Sequence, residues 1–224
     1  MMKNCIAGLA AIGALAAGAM GHDEGDYGLV VIDGKIVTGI GDHDSGTISH
    51  IGERVFAAEM SKAFGSIYAD EPGIFVQAGT FAPGTGIGFN ILAALRVWDT
   101  VNQDFFTVSA VPMTIEFGPA SVTTPASDSL VSGFNIMYGG GEFDEHWDFL
   151  LPSDVDLGIY LLEIQFAVTD PGIAASDAIW TVFNYGLDED EHELAIEWVE
   201  KNLVPAPGSA LALLGLGLMG RRRR

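Results

Sequence analysis

Between residues 158 and 169 apolar and polar side chains alternate: Tyr160, Leu162, Ile164, Phe166 and Val168 fall on one side, Glu163 and Gln165 on the other. A period of two marks a strand with one face in a core. Residues 28–32 and 35–38 read the same way and flank Asp33-Gly34, a dipeptide that supplies the positive φ angles of a two-residue hairpin turn. Further strands are expected at 54–60, 74–77, 105–108, 113–117, 130–137, 146–150 and 178–184. Residues 87–98 read as one long strand with a bulge, or as a buried helix, with Ala93, Leu95 and Val97 sharing a face. Residues 39–52 read as a surface loop and 81–86 as a tight turn. Many short strands punctuated by Gly, Pro and Asp predict an all-β fold: an antiparallel β-sandwich, jelly-roll or Ig-like.

One segment departs from this pattern. Over 188–202, Leu194, Trp198 and Val199 recur at near-helical spacing, with five acids in the first turns and Lys201 at the end, complementing a helix dipole. The chain is expected to close its domain with this amphipathic helix. Trp98, Trp147 and Trp180 are assigned to the core.

Both ends carry processing features. Met1-Met2-Lys3-Asn4 precedes an apolar stretch of small residues, and Ala19-Met20-Gly21 presents small side chains at the two positions a signal peptidase reads. Cleavage after Gly21 makes His22 the mature N-terminus; cleavage after Ala19 is the competing site. At the other end, Val204-Pro205-Ala206-Pro207 leads into an uncharged run from Ala210 to Met219, which ends in Arg221, Arg222, Arg223 and Arg224. As a helix that run measures about 15–18 Å, short of a ~30 Å hydrocarbon core. Arginines at its end can snorkel to headgroups and halt translocation. The order of proline linker, apolar run and basic stop resembles the PEP-CTERM sorting signal, with Ala206 where that family usually has Glu. The resemblance implies export and processing by an exosortase-type membrane protease at the cell envelope or extracellular matrix. A retained short membrane anchor is the alternative. The expected organisation is therefore a signal peptide over 1–21, one acidic domain over 22–203 and a sorting signal with a short hydrophobic helix over 204–224.

Charge narrows the partners. All thirty acidic residues lie between the two processed ends, against five basic ones, Lys35, Arg54, Lys62, Arg96 and Lys201, which leaves −25 with His neutral. Such a surface repels nucleic acid, whose binding depends on Lys and Arg displacing counterions. The only cysteine, Cys5, lies in the signal segment, so a thiol nucleophile is excluded from the domain. No Gly-x-Ser-x-Gly elbow, His-Glu-x-x-His helix or P-loop is present.

The histidines carry the remaining chemistry. Four sit among acids: His22-Asp23-Glu24, Asp42-His43-Asp44, Glu145-His146-Trp147-Asp148 and Glu191-His192-Glu193, with His50 at a loop end. Imidazole beside carboxylate is a recurrent ligand set for zinc and copper. An N-terminal His22 could chelate copper through its amine and ring together. His22 with nearby Asp23, and His146 in the aromatic run that follows, are similar to secreted domains linked to zinc homeostasis. That resemblance implies a transition metal on His22 and His146; His43 or His50 is expected to assist. Calcium is the other candidate ion, at Asp42-His43-Asp44-Ser45-Gly46, Asp154-x-Asp156 or Asp188-x-Asp190. The expected role is non-catalytic, structural or adhesive, in a biofilm or exopolysaccharide layer. A metal-binding envelope domain is the alternative, and a polysaccharide hydrolase is a third.

Overall fold

The computed structural model describes residues 25–63 and 65–205. The signal peptide, His22, Ala206, Pro207, the apolar run and Arg221 to Arg224 lie outside these residues. The described chain opens with β1 (Asp26–Ile32), β2 (Lys35–Asp42), β3 (Thr47–Ser49) and β4 (Val55–Glu59). Next come β5 (Ser61–Ala63), β6 (Ser66–Ala69), β7 (Ile74–Val76), β8 (Gly86–Ile91), β9 (Arg96–Asp99) and β10 (Asp104–Val108). β11 (Thr114–Phe117), β12 (Ala120–Thr123), β13 (Val131–Met137), β14 (Phe143–Glu145) and β15 (Asp148–Leu151) lead to the long β16 (Gly158–Val168) and β17 (Ile179–Tyr185). Helix α1 (Glu189–Asn202) follows. The class is all-β with one C-terminal helix among the described residues. None of the described helices is long and apolar enough to cross a membrane.

The strands form three sheets, in the orders β14-β7-β1-β2-β3, β10-β9-β16-β17-β4 and β12-β11-β15-β6-β5, with β8 joining β16 to β13 in the second. Pairing is antiparallel except for β1 with β7 and β4 with β17. Asp33 and Gly34 both take positive φ, 51° and 75°, as the β1–β2 turn requires. The expected loop over 39–52 is instead a second hairpin: β2 runs on to Asp42 and pairs with β3. Alternation is hidden there because Gly39 and Gly41 occupy strand positions. The run 87–98 is one strand line along β16, interrupted between Ile91, opposite Ile164, and Arg96, opposite Leu161. Five steps on one strand answer three on the other, which is a two-residue bulge.

The alternating face of β16 puts Tyr160, Leu162, Ile164 and Phe166 in the main core with Tyr27, Phe89, Trp147 and Phe149. Ile159 and Leu161, on the opposite face, are buried as well, in a second cluster with Trp98, Trp180 and the α1 residues Ala195, Ile196 and Val199. Trp98, Trp147 and Trp180 are thus all core residues. Asp188 caps α1 by accepting the Glu191 N–H at 2.9 Å, and Lys201 lies in the last turn.

Two chain segments change sheet side by side. β6 belongs to the third sheet and β7 to the first; β14 belongs to the first and β15 to the third. Residues 70–73 make one crossing, and His146-Trp147 make the other. The expected strand over 146–150 therefore starts only at Asp148, and His146 lies in the break rather than on a strand. Breaking a ladder frees side chains from cross-strand packing. At this corner the freed side chains are polar on one side and the Trp147 ring on the other.

Candidate metal centre

Asp26 opens β1 and is 3% exposed, its Oδ1 accepting the Gly73 N–H at 2.8 Å. Register sets its neighbours. Tyr27 stands opposite Ile74, which stands opposite Glu145. One step further along the three strand lines come Asp26, Gly73 and His146. The middle position has no side chain, and a Cβ there would sit 2.7 Å from Asp26 Oδ1 and 2.8 Å from His146 Nδ1. Glycine lets the two flanking side chains meet above it.

Three more ligand types close around this pair. His43 follows directly on β2, with Nδ1 3.9 Å from Asp26 Oδ2. Asp144 Oδ1 lies 3.2 Å from His146 Nε2, and Glu71 Oε1 lies 3.4 Å from His146 Nδ1. Together they make two overlapping triads, Asp26 with His43 and Asp144, and Asp26 with Glu71 and His146. In each triad the donor atoms lie within 4.8 Å of one another. Asp26 is common to both.

Of the histidines expected to converge, His43 and His146 each join a triad with Asp26, but the triads are distinct and neither holds both imidazoles. His22 lies outside the described residues, four positions before Asp26 in the sequence. His50 does not join: it is exposed, takes a positive φ of 45° and contacts the Ser49 hydroxyl at 3.1 Å. Asp26, Glu71 and Asp144 were not legible as ligands, because only the register around Gly73 puts them beside the imidazoles.

The electrostatics follow from crowding acids with little base. Burial, and then the Asp26 carboxylate beside it, push Glu71 up to about 7. Burial alone would lower the His146 pKa; the Glu71, Asp26 and Asp144 carboxylates and the Asp70 carbonyl outweigh it and hold it above its ordinary value. Nδ1 stands 3.1 Å from that carbonyl and Nε2 3.2 Å from Asp144, so both ring nitrogens have acceptors for a proton. Without metal, the corner retains protons that an ion would displace.

A pH dependence follows. Native Glu71 binds a proton that the unfolded chain has lost between its ordinary 4.5 and about 7, so its contribution to stability falls as pH rises through that window. The raised His146 acts in the same direction: its contribution is complete below its ordinary 6.5 and is lost as pH rises through the folded value. Solvent screening at the half-exposed Glu71 side chain leaves an effect of about 1 kcal/mol. An ion at 100 times its Kd adds about 2.7 kcal/mol and binds better as these groups deprotonate. Thermal melts from pH 4.5 to 8 should therefore show the corner's contribution declining with pH in EDTA and rising with pH in excess zinc, relative to Glu71→Gln/His146→Gln.

A third ligand cluster, Glu59, Glu189 and His192, has a structural explanation. Buried His192 sits 3.1 Å from the Val182 carbonyl through Nε2 and 3.1 Å from Glu59 through Nδ1. Asn184 also donates to Glu59. These contacts fasten α1 to β4 and β17, helped by the Trp98 indole N–H donating to Glu191. Two of the expected calcium fragments are likewise engaged by the fold. Asp42 accepts the Asp44 and Ser45 N–H groups and the Ser45 hydroxyl, and these bonds, the hydroxyl first, hold its pKa low; Asp188 is the helix cap.

Each triad offers one imidazole and two carboxylates. That mixture suits zinc, and also ferrous or manganous iron-group ions, better than calcium, which takes oxygen ligands. Donor atoms 2.0–2.1 Å from a tetrahedral zinc stand about 3.3 Å apart, so donors that lie up to 4.8 Å apart within a triad must draw in to hold the ion. Comparison with protein-family models and with curated protein sequences returned no match.

Proposed function

We propose that this protein is an exported envelope domain whose work is to hold a divalent transition metal, zinc foremost, at the corner between its first and third sheets. One observation carries the reading: buried Asp26 is shared by two ligand triads, one with His43 and Asp144 and one with Glu71 and His146, the second closing over Gly73, where a Cβ would collide with both Asp26 and His146. Buried Asp26 is held by one backbone N–H, a distant imidazole and a hydrogen bond with the Glu71 carboxyl, whose proton an ion would replace. The signal-peptide-like start and the PEP-CTERM-like tail support placement at the cell envelope through signal peptidase and an exosortase-type protease. The residues Val204 to Pro207 and Arg221 to Arg224 serve as the sorting signal.

Zinc titration of the full chain, followed by calorimetry, tests this. One stoichiometric site is expected, at least tenfold weakened in His43→Ala and in His146→Ala and unchanged in His50→Ala. Binding no tighter in the parent than in the His43→Ala/His146→Ala double variant would overturn it.

A further inference from the structure

A cavity of about 240 Å³ opens on the helix-covered face of the second sheet and shares no residue with the metal corner. Its floor is Leu161 and Glu163 of β16, and its walls include Arg96 of β9, Phe106 of β10, Asp128 from the β12–β13 connection and Trp198 of α1. Phe106 is 76% exposed, an unusual place for a large apolar ring. It meets the half-buried Trp198 edge to face, with centroids 5.6 Å apart and planes at 80°. Behind them Phe105 and Trp98 are buried and fix the Trp198 ring, at 5.8 and 6.4 Å. The aromatic wall is therefore supported from within while its outer ring faces solvent.

The polar groups are also held in place. Arg96 pairs with Asp128 at 2.5 Å and donates to the Phe106 carbonyl at 3.3 Å, and Asp128 accepts the Ala94 N–H at 3.2 Å. Glu163 is partly buried beside them. This set discriminates by charge. Arg96 is paired with Asp128, so the two offer a ligand hydrogen-bonding groups rather than a net charge. The two carboxylates, on a chain of net charge −20, disfavour an anion. What remains is a neutral ligand that has an apolar face for the rings and hydroxyls able both to donate and to accept. The volume is below the ~300–1,000 Å³ of drug-sized pockets and fits a single small ring.

We propose that this cavity binds one pyranose unit of a neutral polysaccharide, its C–H face against Phe106 and Trp198 and its hydroxyls on Arg96, Asp128 and Glu163. The proposal is independent of the metal reading. It gives the domain a second surface, one that attaches it to a matrix rather than to an ion.

Binding of cellohexaose, mannohexaose, chitohexaose and hexagalacturonate to the full chain, followed by tryptophan fluorescence, is the test. At least one neutral hexasaccharide should bind, with affinity falling at least tenfold in Phe106→Ala and in Asp128→Ala. Phe106→Ala should keep the parental melting temperature, because the ring is already exposed. Asp26→Asn should bind sugar as the parent does, which separates this site from the metal corner. Failure of all three neutral sugars to bind, preference for hexagalacturonate or tetramethylammonium, or equal binding by parent and Phe106→Ala would overturn it.

Discussion

Asp26→Asn is expected to weaken zinc binding at least a hundredfold while leaving the fold intact. Asp26 belongs to both ligand triads, so its loss removes a charged donor from each, whereas His43→Ala or His146→Ala breaks one. A hundredfold loss is about 2.8 kcal/mol, modest for deleting a buried anionic ligand. Asparagine keeps the size and the oxygen that accepts the Gly73 N–H, so the backbone contact between β1 and the 70–73 crossing survives. Without metal the variant should be at least as stable as the parent, because it removes the negative charge that helps to hold Glu71 up near 7. The expected pattern is thus opposite in sign for the two measurements: lower affinity by calorimetry, and an equal or higher melting temperature in EDTA. A loss of stability in EDTA matching the loss of affinity would mean that Asp26 serves the fold and not an ion.

Trp147→Ala is expected to cost about 4 kcal/mol by denaturant unfolding, the largest effect of any single truncation in the main core. Trp147 is 1% exposed and is the hub of the aromatic cluster. Its ring stacks on Phe166 at 6.1 Å and 7°, and meets Phe89 at 4.5 Å, Phe134 at 5.9 Å, Phe149 at 6.1 Å and Tyr27 at 6.4 Å. Its indole N–H has no hydrogen-bond partner. The ring therefore stabilises by packing, in spite of a polar atom that costs something to bury. Trp147→Phe should consequently cost less than about 1.5 kcal/mol, since it leaves an aromatic ring in place and removes the orphan donor. Equal losses in the two variants would show that the indole nitrogen matters and the packing account is wrong. Because Trp147 follows His146 in the same two-residue crossing, Trp147→Ala should also weaken zinc binding.

The class of the fold was legible wherever one face of a strand is buried and the other is not. β16 and the β1–β2 hairpin read directly from alternation and from Asp33-Gly34. The short β5, β6 and β12 did not: three or four residues such as Ser61-Lys62-Ala63 are too few to show a period and owe their strand conformation to neighbours. The corner was half legible. His43 and His146 stood out as imidazoles among acids, but so did His192, which the fold uses to dock a helix, while His50, the expected helper at a loop end, faces solvent. What separates them is the cross-strand line through Gly73. Register is a long-range property, set by which strands pair, and a sequence pattern with a period of two carries no information about partners. Glu71 and Asp144 were hidden for the same reason. Glu71 sits at a sheet change that reads locally as an ordinary turn, and Asp144 sits in the three-residue β14, too short to show a period.

The two sheet crossings at the corner have a topological consequence. The corner joins residue 26, near the start of the domain, to residues 71 and 146. An ion bound there would tie the chain into loops, the longest of about 120 residues. In the chain-entropy picture, closing such a loop in the unfolded chain by a covalent bridge is worth about 5 kcal/mol. A metal bridge approaches that figure only while the ion stays on. Between residues 22 and 203 the chain has no cysteine, so no such bridge is available to it from disulfide chemistry. The reversible tie offered by Asp26, Glu71 and His146 would give the domain a resistance to unfolding set by the free zinc concentration rather than by the redox state of its surroundings.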